Sequence, residues 1–151
     1  MAFKSLAKDE RYDKALVVDN SVMMRWLFKD GSDSDQDYAK GVLQGIKDQG
    51  FTVLVPYIWV YESAFVTHYY TRQKAISAED AASRLDALFE LSTVIRGEET
   101  PSELFETAQS CNVSSYDASY LLLARQQDCL LATLDKKMQK ACQQLGGSLY
   151  E

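Results

Sequence analysis

Four short apolar runs, rich in β-branched residues and separated by longer helical patterns, restrict this chain more than anything else in it. They are ALVVD ending at Asp19, TVLVP ending at Pro56, STVI over Ser92 to Ile95, and LLATL ending at Leu134. None alternates apolar with polar residues, as a strand with one wet face would; each suits a strand buried on both faces. Strands buried on both faces and alternating with helices predict an α/β domain with a mostly parallel sheet. At 151 residues the chain is the size of one ordinary domain and can bury roughly 68–70% of its unfolded surface.

The helices between the runs carry start and stop signals. Asn20 and Ser21 offer caps ahead of VMMRWLF, and the polar loop GSDSDQD leads into a helix running to about Gln49, with Gly50 as its stop. A long helix, Tyr57 to Lys74, follows Pro56. Ser77 to Asp80 and Thr100 to Glu103 have capping-box spacing and predict two more helices. A helix from Asp117 to about Gln126 precedes LLATL, another follows Asp135, and GSLYE is expected to add an edge strand. Residues 1–14 show no periodicity and are expected to form an N-terminal extension to a domain over 15–151.

Composition narrows the function classes. The formal net charge of −6 speaks against broad electrostatic binding of nucleic acid, though it leaves room for a nuclease whose carboxylates hold cations. Lys136, Lys137 and Lys140 read as a solvated helix face. Cys111, Cys129 and Cys142 form no metal spacing and are expected to be reduced and packed. No apolar run approaches the roughly 20 residues of a membrane helix, and the charged N-terminus does not resemble a signal peptide. A cytoplasmic protein is the expectation, with no membrane partner.

Two acids are out of place. Glu62 shares a helical stripe with Ile58, Trp59, Phe65 and Val66, where an unpaired charge would be costly to bury. A salt bridge to a Lys or Arg, or a cation, would account for it. Asp19 ends a doubly buried strand, and the carboxyl ends of parallel strands form the crevice where ligands bind. Asp135 also follows a strand, and Asp117 heads a helix after Ser114; each is explained equally well as a helix cap. Brought together, the four would need a cation between them or raised pKa values. Clustered hard oxygens suit Mg²⁺ or Mn²⁺ better than zinc. The single histidine, His68, sits among aromatic residues and reads as packing or surface.

These residues resemble the PIN-domain ribonucleases, most closely the VapC-type toxins of toxin–antitoxin pairs. VVDNSVMMRWL is similar to the family's opening strand, acid and helix, with Asp19 as the acid and Ser21 two positions on. VPYIWVYES places Glu62 at the helix acid; SSYDASYLLLA supplies Asp117; LLATLDKKMQKA supplies Asp135, with Thr133 at the hydroxyl position. Where the family often has an asparagine three residues after the helix acid, this chain has Phe65.

The resemblance implies a three-layer α/β/α sandwich and a divalent-metal endoribonuclease that leaves a 5′-phosphate and a 3′-hydroxyl. It makes Asp19, Glu62, Asp117 and Asp135 the catalytic, metal-binding acids, with Ser21 and Thr133 supporting them. It further implies RNA as substrate, a homodimer and a small antitoxin partner; on the aromatic helix, Trp59, Tyr61 and Tyr69 are candidates for a dimer interface, and burial within the monomer explains most of them equally well. The competing reading is a catalytically weak PIN-like module that binds RNA or protein, motivated by Phe65. A phosphoacceptor receiver domain is disfavoured because paired acids in the first loop are missing.

Overall fold

The computed structural model describes residues 11–73 and 76–151. Four strands, β1 (Ala15–Val18), β2 (Thr52–Pro56), β3 (Ser92–Ile95) and β4 (Leu130–Ala132), form one all-parallel sheet in the order β3-β2-β1-β4. Seven helices flank it among the described residues: α1 (Asn20–Leu27), α2 (Asp33–Gln49), α3 (Ile58–Arg72), α4 (Ala78–Leu91), α5 (Pro101–Cys111), α6 (Ser115–Gln127) and α7 (Lys136–Gln144). The result is the expected three-layer α/β/α sandwich.

Its centre is made by the apolar runs themselves. Leu16, Val17, Val18, Leu54, Val55 and Leu131 have no accessible surface, as strands covered on both faces require. Burying each such side chain contributes about 1.5–3 kcal/mol. Helix α6 packs across β1, β2 and β4 and against α5 and α7, while α1 packs on α2 and α3. The N-terminal extension lies outside the described residues as far as residue 10.

Local signals place most helix ends. Ser77, Thr100 and Ser114 each accept a hydrogen bond from the backbone N–H three residues on. Ser32 and Asp35 form a reciprocal capping box ahead of α2, and that helix ends at Gly50 with φ 71°, in the left-handed region that glycine enters without cost. Asn112 and Asp128 close α5 and α6 at φ 55° and 50°, which their short polar side chains tolerate.

Two local expectations are corrected. Asn20 and Ser21 do not cap α1: Asp19 is its N-cap residue, and Ser21 already lies in the first turn with its hydroxyl turned back to Asp19. GSLYE forms a single parallel bridge, Leu131 to Leu149, rather than a strand. The segment pairs only with Leu131, through the Leu131 N–H to the Ser148 carbonyl and the Tyr150 N–H to the Leu131 carbonyl.

Candidate metal centre

The strand order decides where the site lies. After β1 the chain fills one side of the sheet with β2 and β3, then crosses to the other side for β4. Chains of this kind bind ligands at the carboxyl ends of the strands, where the order switches. Asp19 leaves β1 there, Asp135 follows β4, and α3 carries Glu62 just beyond β2. Helix α6 runs back along the sheet into β4, which puts its N-terminal turn, with Asp117, at the same edge. Residues far apart in sequence thus converge on one crevice.

Asp19 is the most buried of the four, at 5% exposure. Its Oδ2 accepts hydrogen bonds from Ser21 Oγ at 2.7 Å and Thr133 Oγ1 at 2.9 Å. The same hydroxyls also accept, Ser21 from the Leu134 N–H at 3.1 Å and Thr133 from the Asp135 N–H at 3.0 Å. Asp19 is therefore tied to the loop between β4 and α7 through two hydroxyl bridges. Burial pushes its carboxyl up to about 6, against the two hydroxyls that lower it and with help from the charge of Asp117.

Glu62 is half-buried. No Lys or Arg among the described residues pairs with it; its Oε1 accepts from the Tyr120 hydroxyl at 2.7 Å. Its pKa is raised by burial first, then by Asp19 and Asp117, against the pull of Tyr120. Asp117 is raised by burial and by Asp135. Each of these three carboxyls is thus held up in part by another acid of the set, as acids sharing a crevice must be.

Asp135 has a second occupation. Its Oδ1 accepts from the Lys137 N–H at 2.8 Å and the Met138 N–H at 3.2 Å, capping α7. Asp135→Ala is expected to cost about 0.5–2 kcal/mol of stability, whereas Asp135→Asn keeps a capping oxygen of equal rank and is expected to be close to neutral. Thermal melts of the two variants check this. If the side chain also serves chemistry, Asn will lose activity without losing stability.

Other expectations meet mixed outcomes. Trp59 is 2% exposed and belongs to the core, so it cannot serve a dimer interface; Tyr61 and Tyr69 remain exposed. Phe65 is 76% exposed and does not share the buried stripe: the inner side of α3 is Trp59, Ser63 and Thr67, and Phe65, two residues from Ser63 and from Thr67, falls about 200° around the helix from them. His68 is exposed, as are Lys136, Lys137 and Lys140. The three cysteines are free, with the Cys129 thiol pushed up to about 11 by burial. Tyr120 was not foreseen as part of the site. It lies one turn after Asp117, but within SYLLLA it reads as one more apolar core position.

A divalent cation fits this donor set. The nearest side chains offer hard carboxylate and hydroxyl oxygens, the acids raise one another's pKa values without a counter-charge, and the Asn20 Oδ1 beside Asp19 is buried with no partner. Among the described residues no three His, Cys, Asp or Glu side chains stand ready as a ligand shell. What links the acids is charge: Asp117 raises Asp19, Asp19 and Asp117 raise Glu62, and Asp135 raises Asp117.

A domain of this topology is an open parallel α/β domain with acids at the carboxyl ends of its strands, where such domains bind ligands. A PIN domain family model matches residues 16–143, and the chain belongs to that family. PIN domains are generally nucleases and typically use divalent metals. Two solved structures share the fold. The crystal structure of PAE2754 from Pyrobaculum aerophilum is 18% identical with a TM-score of 0.66, over 89% of this chain and 82% of that one. FitAcB from Neisseria gonorrhoeae is 14% identical with a TM-score of 0.60, over 90% of this chain and 96% of that one. No curated protein matches the sequence.

Proposed function

We propose that the protein is a Mg²⁺- or Mn²⁺-dependent endoribonuclease and the toxin of a VapC-type toxin–antitoxin pair. The observation that supports this reading is the set Asp19, Glu62 and Asp117 near the carboxyl ends of the strands, each with a raised pKa and none neutralised by a basic side chain among the described residues. The nuclease domain is taken as residues 15–151, with 1–14 as an extension. No helix among the described residues is long and apolar enough to cross a membrane.

Asp19 and Asp117 are the primary ligands in this reading. A bound divalent cation supplies a water of lowered pKa and positive charge for the phosphate and the leaving oxygen. The chain's own residues orient the rest. Ser21 and Thr133 fix Asp19 so that its carboxylate cannot swing away, and Tyr120 does the same for Glu62. Glu62 and Asp135 orient the attacking water in line with the scissile phosphorus–oxygen bond, leaving a 5′-phosphate and a 3′-hydroxyl. Lys136 and Lys137 stand beside Asp135 on the exposed side of α7, where the RNA backbone can meet them.

A homodimer and a small antitoxin belong to the same reading. For self-association the exposed Tyr57 and Tyr61, whose rings lie 5.8 Å apart, offer an apolar surface on α3 in place of the buried Trp59. An antitoxin would enter the acid crevice with a basic side chain.

Purified protein with Mn²⁺ is expected to cut a structured RNA at internal sites, to stop in EDTA, and to resume when Mn²⁺ is restored. Gel analysis of end-labelled RNA and of its product ends tests this. No cleavage with any divalent cation, together with retained RNA binding in a filter assay, would select the catalytically weak binding module instead.

A further inference from the structure

Beyond the carboxyl ends of β2 and β3 lies a cavity of about 260 Å³ in which none of the four acids takes part. Pro56, Ile58, Ile95, Leu104 and Leu123 give it apolar walls. It has room for one flat ring system, and is smaller than the roughly 300–1,000 Å³ of sites that enclose a drug-sized ligand. Helix α3 joins it to the acid crevice: Ile58 on its wall and Glu62 are four residues apart, on one face of the helix and about 6 Å along its axis.

Two opposite charges also line this cavity, Arg96 and Glu99, both from the loop between β3 and α5. No ion pair joins them to each other or to another charged side chain among the described residues. Each is held by something other than a counter-charge. The Arg96 guanidinium lies over the Tyr57 ring, 5.5 Å from its centroid. The Glu99 carboxylate lies against Gly97, where a Cβ would collide with it. Apolar walls with a fork of donors and a pair of acceptor oxygens suit a planar ligand that carries acceptors on one edge and donors on the next.

An unpaired nucleobase is such a ligand, and proteins read one by stacking and by hydrogen bonds along its Watson–Crick and Hoogsteen edges. Guanine alone among the four bases combines two acceptors, O6 and N7, with neighbouring donors at N1 and the N2 amino group. An arginine fork matches the first pair, and a carboxylate matches the second. Adenine puts an amino group where guanine has O6, toward the arginine, and has no N1–H for the carboxylate.

We propose that this cavity is a nucleobase subsite for an unpaired guanine of the RNA strand lying in the crevice, with Arg96 donating to O6 and N7 and Glu99 accepting from N1–H and the N2 amino group. The inference deepens the ribonuclease reading and rests on it for the identity of the strand. Arg96 and Glu99 are specificity-determining residues that touch no reacting atom.

Two short end-labelled single-stranded RNAs, identical except for a central guanine or adenine, provide the test. With the full chain and Mn²⁺, the guanine RNA is expected to be cut about tenfold faster, within the range for one bidentate base contact. Arg96→Ala and Glu99→Ala, both in a loop outside the helices and strands, are each expected to bring the ratio of the two rates to within about twofold of one. A parental ratio near one, or a ratio that survives in either variant, overturns the inference and leaves the nuclease standing. If the parent cuts neither RNA, the ribonuclease reading fails, and fluorescence anisotropy of the same RNAs in EDTA decides the subsite separately. Tighter binding of the guanine RNA that Glu99→Ala abolishes upholds it; equal binding, or a preference that Glu99→Ala keeps, overturns it.

Discussion

Asp19→Asn should cut RNA at less than about a hundredth of the parent rate, beyond the usual 10–100-fold cost of losing a group that only supports a metal ligand, and yet be the more stable protein in metal-free buffer at pH 7. The second half follows from burial. The carboxyl is raised from 3.8 to about 6, so folding favours its protonated form. At a pH below 3.8 it is protonated in both folded and unfolded chains, and no penalty exists. As pH rises through that value toward 6, the unfolded chain ionises first and stability falls; above 6 the loss is complete.

A rise of roughly two pKa units corresponds to about 3 kcal/mol. Glu62 and Asp117, also raised, add to the fall in the same direction. An asparagine carries no charge at any pH and still offers an oxygen to Ser21 and Thr133. Urea denaturation in EDTA at pH 4 and pH 7 measures the effect: the parent should lose stability between the two, and the variant should lose less. A variant less stable than the parent at pH 7 would refute the account of Asp19 as a strained acid kept for function, and parental activity in Asp19→Asn would refute its role in catalysis.

Trp59→Ala should cost about 3–5 kcal/mol, a large share of the roughly 5–15 kcal/mol that holds a domain folded. The indole is 2% exposed on the inner side of α3, and its removal opens a cavity in the core. Its Nε1 is buried without a hydrogen-bond partner, which is itself unfavourable. Trp59→Phe gives up some volume but also removes that unpaired N–H, and should cost less than half as much. Denaturation midpoints of the two variants check the contrast; equal costs would refute the account of Trp59 as a core-filling side chain. Because Glu62 lies one turn further along α3, the alanine variant should also bind Mn²⁺ more weakly, while the phenylalanine variant should not.

Much of this architecture was legible because short-range chemistry governs it. The apolar runs read as buried strands from their shortness and β-branched residues, and Ser77, Thr100, Ser114 and Gly50 mark helix ends through bonds that span three or four residues. The errors fell where local signals compete. Ser21 carries a capping side chain, but its hydroxyl is used by Asp19 instead. GSLYE has the composition of a strand, yet it pairs with Leu131 alone. Phe65 belongs to an apolar pattern on paper, but helical rotation carries it to the outer face.

The acids divide in the same way. That Glu62 and Asp19 needed an explanation followed from the residues around them, since a carboxylate among apolar neighbours is costly to bury whatever the fold. What relieves Glu62 was not legible, because the Tyr120 hydroxyl reaches it from 58 positions away along the chain. Likewise Thr133 meets Asp19 across 114 positions, which happens only because β1 and β4 are neighbours in the sheet. The buried parallel strands, most helix ends and the anomalous acids follow from burial and from bonds within a few residues, so the order of amino acids is enough to reveal them. Which hydroxyl holds which carboxylate oxygen depends on the fold, because strand order brings distant residues within hydrogen-bonding distance and no local propensity encodes it.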